Sequence, residues 1–457
     1  MKYYTILLVS TAFLLILVFR IWSKSRTISF PLGMAFLYYW TLAGAWVLVH
    51  DRLAHTANEA YHYSGYEERL FPILLDSSYF ETLLLYSLFL VIIAIVVLLV
   101  VKSPRKHPLV APPLRLSHLR MITMTAVSAA MSFWIVRSAL SIASSRDISG
   151  YEFTRMVFAA QSPLFTTHQL LSRVALFAAC IGIAVSWSGM RGCCVVSGSQ
   201  KTVLVCYVLM LTALIYFMSL LGNRGELLFG GISAVLFHMN NAPRVRLLTV
   251  VGALTCILLA ATFIYHIRGA DPSGRSQLAS SFDPSEIFDL LQTSNEQFVA
   301  HFSLYGAIKQ DVPLTYGSSI VSLAASVVPR ALWPDRPPDI YDHYALVTKV
   351  APGQGYTIHH ATGWYLNFGV PGVVIGAAII GFVWAQLFNW SNKSQMSSHL
   401  VQCVRFLVPW TFVANLPFLV RAGPEAYKSC LFEAILLPAL VLRLSTTLPR
   451  CFHRGLP

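Results

Sequence analysis

Charge is what this chain has least of. Only 12% of its 457 residues are Asp, Glu, Lys or Arg, against about 25% in soluble globular domains. No HExxH, GxSxG, Walker loop or CxxC pair occurs, and no DxD-type metal motif. Metalloprotease, nucleophile-elbow and P-loop chemistry are therefore excluded as sequence-level readings. No internal repeat or low-complexity linker is visible, which argues against transporter folds built from inverted repeats. Eight cysteines are present, and no pair has an evident partner on one side. No disulfide framework is expected. Cys193 and Cys194 are adjacent but have no second cluster, a poor metal signal.

What is abundant is hydrocarbon. Hydrophobic residues make up 56% of the chain, and mean hydropathy is +0.62. Apolar runs recur near 20 residues, the length that crosses about 30 Å of bilayer core. They predict eleven transmembrane helices at 3–22, 29–50, 80–101, 121–144, 168–188, 202–221, 224–240, 247–267, 364–388, 404–421 and 428–445. The first run is long and Phe-rich and is followed by no A-x-A-like cleavage site. It reads as a retained helix and not as a signal peptide. The chain is thus expected to be an all-α polytopic membrane protein. It divides into helices 1–8 (1–267), a large outer loop with short helices (268–363), and helices 9–11 with a basic tail (364–457).

The formal charge of +13 would suggest nucleic acid in a soluble protein. Here its placement matters more than its size, and no nucleic-acid partner is expected. One set of loops, with flanking residues, holds 17 Lys and Arg and no acid; the other set holds all 20 acidic residues. Loop Lys/Arg bias sets orientation, so the basic loops are read as cytoplasmic and in contact with anionic membrane lipids. The result is an N-out, C-in topology.

The insert at 268–363 is far longer than ordinary connections, and long loops are usually functional. Asp283-Pro284 is a plausible helix start. Ile287, Leu290, Leu291, Phe298 and Phe302 give a partial helical stripe. The apolar stretch 318–332 suits the bilayer surface. Pro329, Pro334, Pro337 and Pro338 then stiffen the chain.

Candidate chemistry lies on the outer side. Gly222-Asn223-Arg224-Gly225-Glu226 forms a tight turn. Arg224 offers a planar bidentate donor for phosphate, and the following helix begins there. An internal Arg224–Glu226 pair is the plainer reading. Arg268 closes the eighth span, where an interface anchor is the common role. Arg330 and Arg336 flank Trp333 on the Pro-rich segment, suiting phosphate and sugar contacts; an ion pair with Asp335 is equally open. Tyr356, His359 and His360 precede the ninth span. A histidine there suits general-base work, and a surface pair is the alternative. Arg421 and Glu425 occupy a short turn between the last two spans. No metal site and no cofactor are expected.

The order of LLGNRGELLFGGISAVLF, VVPRALWPDRPP, GWYLNFGVPGVVIGAAIIG and FLVRAGPEAY resembles the Wzy-type polysaccharide polymerases, notably the enterobacterial common antigen polymerase branch. The resemblance covers about 200–457; the first 200 residues match only in hydropathy. It implies a GT-C-like helical enzyme of the bacterial inner membrane with its large loop in the periplasm. Such an enzyme joins undecaprenyl-pyrophosphate-linked oligosaccharide repeat units. It works beside a Wzz-type chain-length-regulating co-polymerase. Arg224, Arg336 and Arg421 correspond by position to family arginines. In that branch the last arginine precedes Glu-Gly, whereas Ala422-Gly423-Pro424 intervenes here before Glu425, which weakens that glutamate's carry-over. Arg224, Arg421 and Arg336 are thus the expected catalytic arginines, and His359 or His360 the candidate base. Arg268, Arg330, Trp333, Glu226, Tyr356 and Glu425 are expected to bind substrate. An O-antigen ligase with a lipid A–core acceptor, a lipid-linked oligosaccharide transporter and a structural assembly subunit are the rival readings.

Arg224→Ala is expected to leave membrane insertion intact and abolish long glycan on a gel of extracted polysaccharide, since one preorganised donor typically contributes about 10²–10³ in rate. A normal ladder in that variant removes Arg224 from the site.

Overall fold

The computed structural model describes residues 2–46, 48–49, 76–103, 117–145, 164–192, 198–221, 225–241, 247–267, 295–325, 333, 340–341, 343–344, 357–392 and 399–445. Among them every regular element is helical and no strand occurs. In chain order the helices are α1 (Lys2–Ser25), α2 (Ser29–Tyr38), α3 (Ser77–Val100), α4 (His118–Ser145), α5 (Leu164–Gly192), α6 (Gly198–Leu221), α7 (Gly225–Asn241) and α8 (Leu247–Ile267). There follow α9 (Asn295–Lys309), α10 (Ser318–Ala325), α11 (His360–Ser391), α12 (His399–Arg421), α13 (Ala426–Leu431) and α14 (Leu437–Ser445). Wide π-helical turns occupy Tyr39–Ala43 and Phe432–Leu436.

Each of the eleven expected spans carries helix. Among the described residues, six helices are long and apolar enough to cross a membrane: Lys2–Ser25, Ser77–Val100, His118–Arg137, Thr167–Trp187, Gln200–Met218 and His360–Ser391. Leu227–Leu236, Val251–Ile264 and Leu407–Arg421 are shorter apolar stretches. Large apolar side chains remain exposed on these helices, such as Leu8, Phe13, Ile16 and Phe19 on α1, Trp134 on α4 and Leu209 on α6. In water such a display would be a liability; in a bilayer it is the solvated face. The helix start expected at Asp283-Pro284 and the prolines at 329, 334, 337 and 338 lie outside the described residues.

The chain forms two compact units that do not follow sequence order. The first comprises Met1–Leu109, Phe288–Ser394 and Phe412–Ala434, and the second Val110–Ile287, Gln395–Thr411 and Ile435–Pro457.

In the first unit α3 is the central helix, packed by α1, α9 and α11. Asp76 caps its start, Oδ1 accepting from the Tyr79 amide at 2.9 Å. Its last carbonyls lack helical partners, as at any helix end. Lys24 Nζ donates to Leu98 O at 2.7 Å, and Asn389 Nδ2 donates to Val100 O at 2.9 Å. Asn389 Oδ1 accepts the Lys102 amide at 2.9 Å. Small residues permit the close crossings. A Cβ on Gly381 would fall 2.8 Å from Ile93 O, and one on Gly33 would fall 2.4 Å from the Trp384 ring.

Helix α11 is broken near its start. Phe368 and Gly369 leave helical geometry, Gly369 at φ +65°, and Pro371 follows. Proline supplies no N–H and collides with the carbonyl four residues back, here Asn367. Backbone freed inside a membrane protein must be satisfied by the protein. The insert supplies the partners. Thr315 N donates to Leu366 O at 2.7 Å. Thr315 and Ser319 hydroxyls each donate to Asn367 Oδ1 at 2.9 Å, and Asn367 Nδ2 donates to Gly363 O at 2.7 Å. The start of the expected apolar segment, Ser318–Ala325, is a helix, α10, held to this break; 326–332 lie outside the described residues.

In the second unit α5 is central, packed by α4, α6 and α7. Val136, Ala175, Leu176, Ala179, Leu214, Phe217 and Met218 form its core. Phe177 stacks on Phe229 with centroids 5.7 Å apart. A Cβ on Gly182 would fall 2.5 Å from the Tyr207 ring.

At the α11 break, a Cβ on Gly372 would sit 2.1 Å from Trp364 O, which is backbone and cannot swing away. Gly372→Ala is expected to destabilise the protein by about 1–3 kcal/mol through overpacking. It should lower the melting temperature in detergent, and an unchanged melting curve contradicts the close approach.

Candidate functional site

A buried polar cluster forms in the first unit where α9 of the insert meets α3 and the start of α11. Three histidines, His301, His359 and His360, are each at most 1% exposed. Polar groups withdrawn from water require partners, and each ring finds two.

His301 lies in α9. Its Nδ1 is 2.8 Å from the Thr41 carbonyl in the π-helical turn. A carbonyl only accepts, so Nδ1 carries the proton. Nε2 then accepts from the Tyr79 hydroxyl at 3.1 Å. His359 caps α11 with the opposite tautomer. Its Nδ1 accepts the Ala361 amide at 3.1 Å. Nε2 therefore holds the proton and donates to Thr41 Oγ1 at 3.1 Å. One threonine thus ties two histidines through its backbone and its side chain.

Ser303 and two tyrosines complete the network. Ser303 Oγ donates to Ala300 O at 2.6 Å and accepts the His359 amide at 3.0 Å. Thr362 Oγ1 lies 2.8 Å from it and donates, because the Ser303 proton is already committed. Tyr86 OH donates to His301 O at 2.6 Å, and Tyr344 OH to Ser303 O at 3.1 Å. At the outer edge Asp76 Oδ2 accepts from Tyr305 at 3.2 Å and pairs with Lys309. Burial raises the Asp76 pKa, but Lys309, the Tyr79 amide and Tyr305 together hold it below its usual value.

His360 opens α11 beside the turn between α12 and α13. Nδ1 lies 3.2 Å from Leu419 O and so carries the proton. Nε2 accepts from Tyr427 OH at 2.9 Å and Trp364 Nε1 at 3.1 Å. The turn itself packs against this region. A Cβ on Gly363 would fall 2.2 Å from Pro424 Cδ, and one on Gly423, at φ +62°, would fall 3.3 Å from Ile358 O. Arg421 is half-buried, its guanidinium carbon 5.9 Å from the Phe418 ring centroid. Glu425 pairs with Lys428 at 3.4 Å.

Two of the sequence-derived candidate groups, His359–His360 and Arg421–Glu425, therefore lie side by side. The histidines are not a surface pair. Nor does either ring keep a free lone pair for a substrate proton, because both nitrogens of each are engaged within the protein. That geometry counts against the general-base expectation. Trp333 is exposed, at 42%. Glu226 belongs to the first turn of α7, with its side chain outside the described residues. Arg224, Arg268, Arg330, Arg336 and Tyr356 lie outside the described residues. Among the described residues no group of three or more His, Cys, Asp or Glu could hold a metal ion.

Sequence reading missed Thr41, Tyr79, Tyr86, His301 and Asn367. Thr41 and the tyrosines sit in apolar runs where a hydroxyl reads as incidental. His301 was open to notice, being the one histidine in the mainly apolar run AHFSLYGA of α9.

Searches against known protein families, curated proteins and solved structures return no match.

Burial holds the His301 pKa down to about 4, the Thr41 hydrogen bond offsetting only part of that. Burial, then the neighbouring His360 and His301, hold His359 well below its ordinary value. The unfolded chain protonates near 6.5, so below that pH it binds more protons than the folded state. Stability is therefore expected to fall as pH drops from about 6.5 toward 4. Melting in detergent across that range checks it; a flat profile contradicts neutral buried histidines.

Proposed function

We propose that the chain is a membrane glycosyltransferase of the polysaccharide-polymerase kind, joining undecaprenyl-pyrophosphate-linked oligosaccharide units. It lies in the bacterial inner membrane with eleven crossings, N-terminus out, C-terminus in, and its active face in the periplasm. The observation that carries this reading is the junction of the Arg421 turn with the first turn of α11 and the insert. Arg421 ends the apolar helix α12 there, its guanidinium carbon 5.9 Å from the Phe418 ring centroid. The segregation of all 20 acidic residues away from the basic loops supports the orientation.

In the reaction, the acceptor sugar hydroxyl attacks the anomeric carbon of the growing chain. The new C–O bond forms as the bond to undecaprenyl pyrophosphate breaks. The hydroxyl proton leaves to a base outside the histidine pair. Negative charge grows on the departing pyrophosphate, so a guanidinium fixed beside it stabilises the transition state more than the bound substrate. Arg421 is the described candidate. Arg224 and Arg336 are the further arginines that the resemblance implies; Arg268, Arg330 and Trp333 are the substrate contacts expected from the sequence. The bidentate geometry of arginine suits phosphate oxygens, and several arginines can neutralise pyrophosphate without a metal. The role parallels that of a polymerase working with a length-regulating co-polymerase.

Arg421→Ala is expected to lower polymerisation about 10²–10³-fold while the protein still inserts in the membrane. Arg421→Lys should recover only part, since Lys lacks the planar fork. The polysaccharide should keep its single attached repeat unit. Loss of even that single unit points to a ligase, and an undiminished ladder removes Arg421 from the site.

A further inference from the structure

One imidazole holds both flanks of the Arg421 turn. Helix α12 ends at Arg421, so the Leu419 carbonyl belongs to the last turn, whose acceptors lack helical donors. His360 Nδ1 reaches that carbonyl at 3.2 Å. On the other side of the turn, Tyr427 donates to His360 Nε2 at 2.9 Å, its ring perpendicular at 89° with centroids 4.9 Å apart. Leu419 lies two residues before Arg421, and Tyr427 two residues after Glu425. Trp364, one helical turn along α11, donates to the same Nε2 at 3.1 Å and fixes the ring plane. The backbones beneath are equally close, for neither Gly363 nor Gly423 has room for a Cβ without displacing Pro424 or crowding Ile358 O.

We propose that His360 is a positioning residue for Arg421, clamping the turn from both sides so that the guanidinium keeps one place while pyrophosphate departs. It carries no proton in the reaction. The inference rests on the polymerase reading above for its functional consequence, but the clamp itself is a property of the fold. A fixed donor matters because displacement of a catalytic group by about 1 Å can cost about 10²-fold in rate. The same geometry explains why a fully buried histidine stands at the mouth of a span. Its ring bonds both sides of the turn.

The test uses the full-length protein in vesicles. His360→Phe removes the bonds to both flanks and the one from Trp364 with little change in ring size. His360→Asn keeps a donor near the Nδ1 position, and Tyr427→Phe removes only the second flank. With a lipid-pyrophosphate-linked oligosaccharide as substrate, His360→Phe is expected to lower kcat about 10²-fold with KM little changed. His360→Asn and Tyr427→Phe should lose less. In the Arg421→Ala background, His360→Phe should add almost nothing, because it acts through Arg421. The acid limb of the kcat/KM profile should survive in His360→Phe. Loss of that limb, or a full further loss in the double variant, makes His360 a proton carrier and overturns the proposal.

A second readout does not need turnover. Inorganic pyrophosphate should protect Arg421 from phenylglyoxal in the wild type, and at least tenfold less well in His360→Phe, as read by peptide mass spectrometry. Differential protection without any polymer formation keeps the clamp and removes the polymerase reading. Equal protection in both proteins removes the clamp, including where the wild type polymerises. His360→Asn guards against misfolding: if it melts like the wild type yet loses protection like His360→Phe, the Leu419 bond is not the anchor and the proposal fails.

Discussion

A polar group taken out of water has to be paid for by a partner inside the chain, and the first unit is organised by that requirement. The Leu366 carbonyl at the α11 break is met by the Thr315 amide, and the Asn367 side chain beside it by the Thr315 and Ser319 hydroxyls. The last carbonyls of α3 are met by Lys24 and Asn389. The carbonyl at the end of α12 is met by His360. In each case the partner comes from a distant part of the sequence, so satisfying local backbone also fixes tertiary structure. An unmet buried donor or acceptor costs about 1–3 kcal/mol, which makes these few contacts worth more than their number suggests.

The histidines illustrate how such a network selects its own protonation. His301 and His360 carry the proton on Nδ1 because each faces a carbonyl there. His359 carries it on Nε2 because an amide faces its Nδ1. Each ring is thus fixed in tautomer and plane, as suits a structural joint. The insert is joined to the membrane helices through these rings, and the outer turn carrying Arg421 is joined through the last of them. The Asp76–Lys309 pair at the rim is more exposed, with Lys309 at 46%. Such a pair contributes about 1 kcal/mol or less, so the buried joint, not the rim ion pair, holds the insert.

The helical architecture was legible in the chain because hydrocarbon length is a hard constraint: apolar runs near 20 residues mark helices whatever their partners. The expected run at 80–101 corresponds to the helix Ser77–Val100, and the Asp76 cap at its start was not anticipated. The short Leu227–Leu236 and Val251–Ile264 stretches show where the length criterion becomes marginal. The division into two units was not legible, because which helices pack together depends on small residues and crossings that hydropathy averages away. Gly33 against Trp384 and Gly381 against Ile93 are such cases. At the site, Arg421 and the His359–His360 pair were found by residue type. Their adjacency was not, since 59 residues separate His360 from Leu419. The burial and tautomers of the pair were not legible either, because neither is visible in a one-dimensional pattern.

The central claim is that a guanidinium held at this outer turn serves transfer from a lipid pyrophosphate. The most direct measurement is reconstitution of the purified protein alone in vesicles with a lipid-pyrophosphate-linked oligosaccharide. The product lengths and the released lipid pyrophosphate are then counted together. The account predicts a ladder of glycans with one undecaprenyl pyrophosphate released per unit joined. Release without joining, or no product from a protein that is folded and inserted, would contradict it.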